Sequence, residues 1–375
     1  MKVMLTGLGL LTLTTTAAMA GGIDRSGLPT SILFETGSAA RLSFSSVTPS
    51  ISGAYAPALA PFGASTKNMA ESYVSLGFAF KMDVTDRMSV ALMANQPFGA
   101  DAAYTGGFYT GLEAHWSSDQ IAAVLKYDVA ERVSVFGGLR LVRSSADINI
   151  PVQMLSPPVP GIPIVLGPYT ATAASDSQVG YLFGAAYEIP DIALRGSLTY
   201  QSEITHSFAT AERFGGLFGG ATVNGSTDII LPQSITFDFQ SGIAADTLLF
   251  GSVKWSEWSK WHVRPDFYEA TVGDEVTGFD NDVITYQLGV GRKINDNLSL
   301  FARYSFEKAT GGVASRLSPT DGMNSIGIGG SWTQNNIKFT GGVEYVTVGD
   351  AIDGSGTKFS GNSAMGVGLS VDFTF

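Results

Sequence analysis

The chain has 375 residues, a formal net charge of −11 and no cysteine. The lack of cysteine excludes disulfides and thiolate metal ligands, and the acidic balance argues against a nucleic-acid partner, because phosphate binding needs a basic surface. Only 15% of the residues are charged, yet beyond the N-terminus the apolar residues are dispersed, so the mature chain contains no predicted transmembrane helix.

The N-terminus has the three parts of a secretory signal peptide. Lys2 supplies the positive start, Val3 to Leu11 supply an apolar core, and Ala18-Met19-Ala20 is a small-residue cleavage site. The run is too short for a membrane anchor, and no stop-transfer charges follow it. We therefore predict a signal peptide over residues 1–20.

Short polar turns separate strand-like segments along the rest of the chain. The segments alternate apolar and polar residues, the pattern of a strand with one apolar face, and the turns are rich in Asp, Asn and Pro, which favour turn geometry. Six such turns imply six hairpins, and one further strand at each end brings the count to fourteen. The turns lie at 83–87, 128–132, 190–191, 244–246, 295–297 and 334–336. The connections at the other end are longer, at 54–69, 97–111, 148–177, 210–227, 265–278, 311–322 and 350–357.

The last segment, from Met365, alternates strictly and ends on the aromatic Phe375. A soluble sandwich strand can look similar, but an aromatic end is typical of the closing strand of an outer-membrane barrel. Together with the hairpins, it predicts an all-β protein: a transmembrane antiparallel β-barrel of about fourteen strands over residues 41–375, in the bacterial outer membrane. The expected partners are membrane lipid and, through the strand ending in Phe375, the barrel assembly machinery.

A cluster of tryptophans, Trp255, Trp258 and Trp261, comes near the loop end of one strand. We interpret it as an aromatic belt at the membrane interface. Trp258 has the opposite parity from the other two, so a role in ligand binding is a lesser alternative for it.

Two of the long connections are apolar, although they are expected outside the cell. Such patches usually mark a binding site, so we predict a capture site for an apolar molecule; the alternative is a loop that packs on itself or lies on lipid. The residues of this predicted site are Ile162, Ile164, Val165 and Leu166 in the third long connection and Phe208, Phe214, Leu217 and Phe218 in the fourth.

Several cations are expected to face the lumen, since their parity is opposite to that of the lipid-facing positions. They are Arg140, Arg195, Lys254 and Arg303, with Lys126. Most would pair with lumen acids such as Asp238 and Glu307. One or two are candidates to bind the carboxylate of an amphipathic ligand, which an arginine matches with two hydrogen bonds.

Four motifs in order resemble the FadL family of outer-membrane transporters for long-chain fatty acids, which includes aromatic-hydrocarbon channels. They are Asn95 to Gly99 followed by Tyr104 and Tyr109, Thr199 to Ser202 followed by His206, Leu231 to Ser234, and Val47 to Gly53. The resemblance implies a fourteen-stranded barrel, an N-terminal hatch that plugs the lumen, a capture groove between the third and fourth long loops, and a lateral exit at a kinked third strand.

The hatch departs from the family pattern. Only residues 21–40 precede the first strand, and Ile32 to Gly37 stands where the family has an Asn-Pro-Ala motif. Proline lacks a ladder donor, so Pro97 is a place for a gap or for the end of a strand. The residues assigned to the hatch and lateral gate are Ile23, Leu33, Phe34, Pro97, Phe98 and Gly99.

The sequence therefore favours passive transport of long-chain fatty acids or similar hydrophobic compounds, with no cofactor and no metal. A non-selective diffusion porin and an aromatic-hydrocarbon uptake channel remain as alternatives. An enzyme is disfavoured, because the chain has only three histidines and no G-x-S-x-G motif.

Overall fold

The computed structural model describes residues 22–155 and 166–375. The predicted signal peptide lies outside these ranges, and so do Ile162, Ile164 and Val165. No helix within the described ranges is long and apolar enough to cross a membrane.

The strands form one closed antiparallel barrel, which confirms the predicted fold. Each strand pairs with its neighbours in the chain, and the first closes on the last, from Ala39↔Thr374 to Ser50↔Ser363. Three strands are interrupted, so fourteen strands contain seventeen segments. The strands are β1 (Ala39–Ser50), β2 (Tyr73–Thr85), β3 (Met88–Asn95 and Gly99–Ala103), β4 (Glu113–Ala130), β5 (Val133–Ile150), β6 (Tyr169–Ile189), β7 (Leu194–Gln201 and Ile204–Phe214), β8 (Val223–Leu231 and Ser234–Ala244), β9 (Thr247–Ser256), β10 (Val283–Lys293), β11 (Leu298–Glu307), β12 (Met323–Gln334), β13 (Ile337–Val348) and β14 (Ser363–Thr374).

Helices are short and lie in the connections. The α-helices are α1 (Val152–Leu155) and α2 (Asp266–Val272), and the 3₁₀ turns are Thr30–Phe34, Ala60–Phe62, Gly107–Tyr109, Pro190–Ile192, Phe218–Gly220 and Trp258–Lys260. Further two-residue strands, at Gly53–Ala54, His262–Val263, Thr277–Gly278, Ala351–Ile352 and Lys358–Phe359, pair with one another over the extracellular mouth.

The outer face of the barrel is apolar and the inner face is largely polar. In β14, Met365, Val367 and Leu369 are exposed, whereas Ala364 and Ser370 on either side of them are buried. This alternation is the one that places apolar side chains in lipid and polar ones in the lumen.

The short turns lie where the sequence predicts them, but three long connections are shorter than expected. Gly99–Ala103 is a strand, and the third and fourth long loops shrink to 151–168 and 215–222. Phe208 and Phe214 therefore lie in β7 and not in a loop. The reason is that β4, β5 and β6 have 18, 18 and 21 residues, well beyond the about ten needed to cross a membrane, so this side of the wall continues above the apolar belt.

The lumen is filled by the N-terminal segment from Gly22 to Phe34. Near the periplasmic end Ile32 and Leu33 are buried among inward-facing side chains, including Ala79 and Met93. A middle cluster gathers Ile23 with aromatic residues of the wall, and a third cluster lies under the extracellular loops.

The predicted tryptophan belt is wrong for two of its three members. Trp258 and Trp261 are buried inside the barrel, because β9 ends at Ser256 and the chain turns inward through Trp258–Lys260. Only Trp255 stays on the strand, where its Nε1 donates to Asp282 over 3.1 Å.

Candidate functional site

A gap in the barrel wall lies where β3 is interrupted, between Asn95 and Gly99. The β2–β3 ladder runs from Thr85↔Met88 only as far as Phe78↔Ala94. Beyond it, within the described residues, Tyr73 to Gly77 has no register partner in β3, although it remains paired with β1. Pro97 contributes no N–H to such a ladder, which accounts for an interruption at this point.

The N-terminal segment occupies this gap as a short extra strand. The Gly99 N–H donates to the Ile23 carbonyl over 2.8 Å, and the Arg25 N–H donates to the Pro97 carbonyl over 2.8 Å. A Cβ on Gly99 would lie 2.3 Å from Arg25 Nε, so a larger residue here would have to displace the Arg25 side chain. The predicted gate residues Ile23, Pro97 and Gly99 are thus in direct contact.

The Arg25 side chain crosses the gap. It forms an ion pair with Asp101, and its guanidinium carbon lies 4.2 Å from the centre of the Tyr73 ring. Ligand atoms of Glu71, Asp101 and His115 lie within 4.8 Å of one another, but the Asp101 carboxylate is already bound by Arg25. These residues fasten the hatch and give no support for a metal centre.

A second set of bonds holds the same segment to the opposite wall. Asp24 accepts hydrogen bonds from Lys254 Nζ over 2.7 Å and from Trp258 Nε1 over 3.2 Å. On the side of the gap, Ser26 donates to the Gln96 carbonyl over 2.6 Å. Lys254, predicted as a ligand-binding cation, is therefore a partner of the hatch.

An apolar cavity of about 80 Å³ lies between the hatch and the wall formed by β3 to β8. Its lining is almost wholly apolar, and it lies directly above the sealed gap. Residues of the lining include Ile23, Ala100, Trp116, Ile229, Trp261 and Phe279. Of these lining residues, only Ile23 is assigned to the functional site from the sequence. Trp116 could also be identified from the sequence, because its parity on β4 directs it into the barrel.

A polar cavity of about 210 Å³ lies on the other side of the hatch. Arg140, Arg195 and Lys254 line it, together with serine, threonine and glutamine side chains. Unlike the apolar cavity, this one is lined by cationic side chains.

Arg140 is 2% exposed. Its guanidinium donates to the Gln120 and Gln201 amide oxygens over 3.1 and 3.2 Å and to the Ser202 carbonyl over 2.5 Å. Among the described residues no carboxylate forms an ion pair with it, so its charge is balanced only by neutral acceptors.

The other two predicted lumen arginines have different surroundings. Arg195 lies 4.4 Å from the centre of the Phe34 ring, at the periplasmic end of the hatch. Arg303 pairs with Glu344 over 2.6 Å, and both are buried. Lys254, by comparison, pairs with Asp24 of the hatch.

The predicted loop site is only partly assembled. Leu166, Phe214 and Leu217 pack in the cluster under the loops, with Tyr169 and Tyr268. Phe208 lies deeper, in the cluster around the apolar cavity, and Phe218 is 76% exposed.

A buried tyrosine fastens the loops above these clusters. The Tyr109 hydroxyl donates to Asp353, and burial raises its pKa to about 12. Tyr109 therefore remains a neutral donor over the physiological pH range.

An apolar outer belt, a plugged lumen and an apolar cavity beside a gap in the wall define an outer-membrane channel protein for hydrophobic compounds. A family profile described as outer membrane protein transport protein (OMPP1/FadL/TodX) matches residues 17–370. The chain belongs to that family, which confirms the resemblance seen in the motifs, the outer-membrane location and a role in transport and not in enzymatic catalysis. No curated protein matches the sequence significantly.

Solved structures of similar architecture share the fold at low sequence identity. A Pseudomonas aeruginosa FadL homologue is 14% identical, with a TM-score of 0.71 and 92% of each chain covered. The Ralstonia pickettii toluene transporter TbuX is 12% identical, with a TM-score of 0.64 and coverage of 96% of this chain and 98% of that one. The Pseudomonas putida toluene transporter TodX is 13% identical, with a TM-score of 0.62 and 96% coverage of both.

Proposed function

We propose that the protein carries long-chain fatty acids, or apolar compounds of similar character, passively into the outer membrane through the gap at β3. The observation that carries this proposal is the position of the apolar cavity. It ends at Ile23, and the gap beside it is closed by the hatch, through the pairing of Ile23 and Arg25 with Pro97 and Gly99 and through the side chain of Arg25. Movement of this short segment would join the cavity to the lipid.

The first step in this proposal is capture at the extracellular loops. Phe218 is exposed, and it lies close to Phe267 of α2, with ring centres 6.0 Å apart. Leu166 and Leu217 lie beneath it in the apolar cluster. An apolar ligand would gain about 25 cal/mol for each Å² of apolar surface it buries there.

The last step is exit towards lipid. On the outer side of the gap, Val74 and Leu76 are 49% and 63% exposed, as expected for side chains that face acyl chains. A ligand leaving past Phe98 and Gly99 would enter an apolar medium. Partition alone would then drive the transfer, with no chemical energy source.

The chemical class of the ligand has two candidates, each favoured by one observation. Arg140, which has no ion-pair partner among the described residues, favours a carboxylate such as that of a fatty acid. The small volume and aromatic lining of the apolar cavity favour a monoaromatic hydrocarbon, since pockets for larger ligands enclose about 300 Å³ or more.

Uptake by cells that lack their own transporter tests the function. Cells with and without the protein are given a labelled long-chain fatty acid, labelled toluene or a labelled hydrophilic sugar. We expect uptake of at least one apolar compound without increased entry of sugar. Entry of sugar without either apolar compound would mean a diffusion porin and would contradict the proposal.

A further inference from the structure

The wall contains a second interruption, between β6 and β7. The ladder between these strands stops at Leu182↔Gln201 on one side and resumes at Ala173↔Thr210 on the other. Within the described residues, no register pair joins residues 174–181 to 202–209. Both flanking parts of the ladder keep the same register, so the interval is a local opening and not a shift of the whole strand.

The ladder fails here because the two strands are out of phase. The buried positions of β6 change from odd numbers, at Tyr169 and Ala171, to an even number at Leu182. Those of β7 change from odd at Thr199 to even at His206. Opposite residues within the interval therefore point to different faces, which a pleated ladder does not allow. An extra residue in one strand has this effect, and the β5–β6 ladder is irregular at Ser144/Ala146.

Side chains close most of this second opening, and one main-chain bond remains at its lower end, from the Ser202 N–H to the Tyr181 carbonyl over 3.0 Å. His206 Nδ1 lies 2.9 Å from Asp176 Oδ2, and the Ser207 N–H donates to the same carboxylate over 3.3 Å. The His206 ring is fully buried, and its Nε2 lies 3.2 Å from Ser144 Oγ. Release of this closure needs the Asp176 side chain to rotate and the single main-chain bond at Ser202 to break, whereas a paired strand would need its whole ladder broken.

The outer rims of the two openings differ in polarity. The β3 gap is bordered by apolar side chains that face lipid. The β6–β7 opening lies across the upper edge of the apolar belt and the head-group layer, because its rim combines the exposed Val179 and Tyr181 of β6 with exposed polar side chains. These side chains are Ser177, Glu203, Thr205 and Ser207.

On the inner side, a row of aromatic rings joins the two openings. Successive ring centres are separated by 5.2, 5.6, 6.0, 6.3 and 5.7 Å. The row starts at the closure of the second opening, passes along the apolar cavity and ends beside Gly99. Its members in order are His206, Phe208, Trp116, Trp261, Trp258 and Phe98.

We propose that the interval between β6 and β7 is a side entrance, through which apolar ligands of about the size of one aromatic ring enter the lumen from the head-group layer. The Asp176–His206 pair closes this entrance, and the aromatic row leads from the entrance to the hatch. The entrance deepens the proposed function, on which it rests for the exit at β3. It supplies a route into the apolar cavity that does not pass the extracellular loops.

The test measures entry separately from transport. Three of the five tryptophans belong to the aromatic row, so bromobenzene that reaches the cavity quenches their fluorescence. Stopped-flow mixing of bromobenzene with the purified full-length protein gives the rate of this quenching. Because the chain has no cysteine, Ser177→Cys at the rim is the only site for a bulky thiosulfonate reagent, and a reductant removes the reagent again. Ser226→Cys is the matched control, since Ser226 is also exposed and lies on β8, one strand beyond the opening, on the other side of β7.

We expect the reagent on Ser177→Cys to slow quenching by at least about fivefold, with recovery on reduction, because entry is then limited by access. The reagent on Ser226→Cys should leave the rate within about twofold. Asp176→Ala removes the Asp176–His206 pair and should therefore accelerate quenching in the unlabelled protein. Equal rates for the two labelled variants, together with no acceleration by Asp176→Ala, would overturn the side entrance.

The result is independent of the proposed function. If cells show uptake but the labelled variants quench at equal rates, transport is right and the entrance is wrong. If cells show no uptake but blocking Ser177→Cys slows quenching, the entrance is right and transport to the lipid is wrong.

Discussion

At the scale of single residues, the lumen cations separate into those that form an ion pair with a carboxylate and those, such as Arg140, for which the described residues give none. Lys254 binds Asp24 of the hatch, and Arg303 binds Glu344. Arg140 contacts only neutral acceptors among the described residues. A buried arginine without a carboxylate is costly, and a ligand carboxylate would offset that cost.

Arg140→Gln tests the head group of the ligand. Removing a hydrogen bond to a charged group costs about 1.5–3 kcal/mol, so the dissociation constant for a fatty acid should rise about 10- to 100-fold. The constant for toluene should not change, because toluene has no charge. Fluorescence titration of the purified protein measures both, and Arg143→Gln, on the exposed face of the same strand, is the control. An unchanged fatty-acid affinity would remove Arg140 from the site.

Parity in the sequence predicts which way a strand residue points, but not what it meets. It correctly places Arg140 and Arg303 inside the barrel. Their partners come from other strands, and that of Lys254 from the hatch, and no local pattern encodes such pairings. Parity fails at Trp261, because the strand that would fix it ends at Ser256.

At the scale of elements, two main-chain bonds join the hatch strand to β3. One is at Ile23 and the other is at Arg25. An opening of this kind needs a movement of few residues, which suits a gate. The neighbouring ladders have many more register pairs, from Asn95↔Gln120 onwards in β3–β4, and remain as a rigid frame.

A disulfide between the hatch and β3 should stop transport. Ser26 Oγ lies 3.2 Å from Asn95 Nδ2, so Ser26→Cys/Asn95→Cys places two thiols together in a chain that has no other cysteine. Oxidation should lower uptake at least about tenfold if opening of the gate is required, and a reductant should restore it. The cellular uptake assay measures the effect.

The control is a disulfide that leaves the hatch free. Ala185→Cys/Leu198→Cys joins register partners in the β6–β7 ladder, on the lipid-facing side. Uptake should be the same in its oxidised and reduced forms. Full uptake by the oxidised hatch variant would place the exit somewhere other than β3.

The sequence predicts most elements, since alternation and polar turns are local. The kink of β3 has a local signal too, in Pro97. The opening between β6 and β7 has none, because it arises from irregularities in two strands that must be compared in register. The sequence predicts three of the long loops too long, because the apolar alternation fades where strands rise above the membrane, as at Gly99–Ala103.

At the scale of the whole molecule, the hatch divides the lumen into an apolar and a polar cavity. A fourteen-stranded barrel is intermediate between small barrels filled by their own side chains and porins of 16–18 strands with an aqueous channel, so its interior needs a plug. The segment from Gly22 to Phe34 supplies it, and Ile32 and Leu33 anchor it near the periplasmic end. The short length of the hatch does not leave the lumen empty.

Deleting residues 22–34 should convert the protein into a diffusion porin. We expect large, stable conductance in planar bilayers and entry of the labelled sugar into cells, whereas the intact protein should show neither. The heat-dependent shift in gel mobility that folded barrels show serves as the control for assembly. A correctly assembled deletion variant without conductance would mean that the loops, and not the hatch, seal the lumen.

The seam between β1 and β14 joins strands from opposite ends of the sequence, at Ala39↔Thr374. Every other neighbouring pair of strands comes from a hairpin or a loop, so it can form early and locally. Formation of the seam costs the loop-closure entropy of nearly the whole barrel, and contacts between residues so far apart in sequence form slowly. Until it forms, both edge strands expose unpaired N–H and C=O groups, which readily add foreign strands. Closure of the seam is therefore expected to be the late, rate-determining event of biogenesis, and the stage at which the chain is most exposed to aggregation.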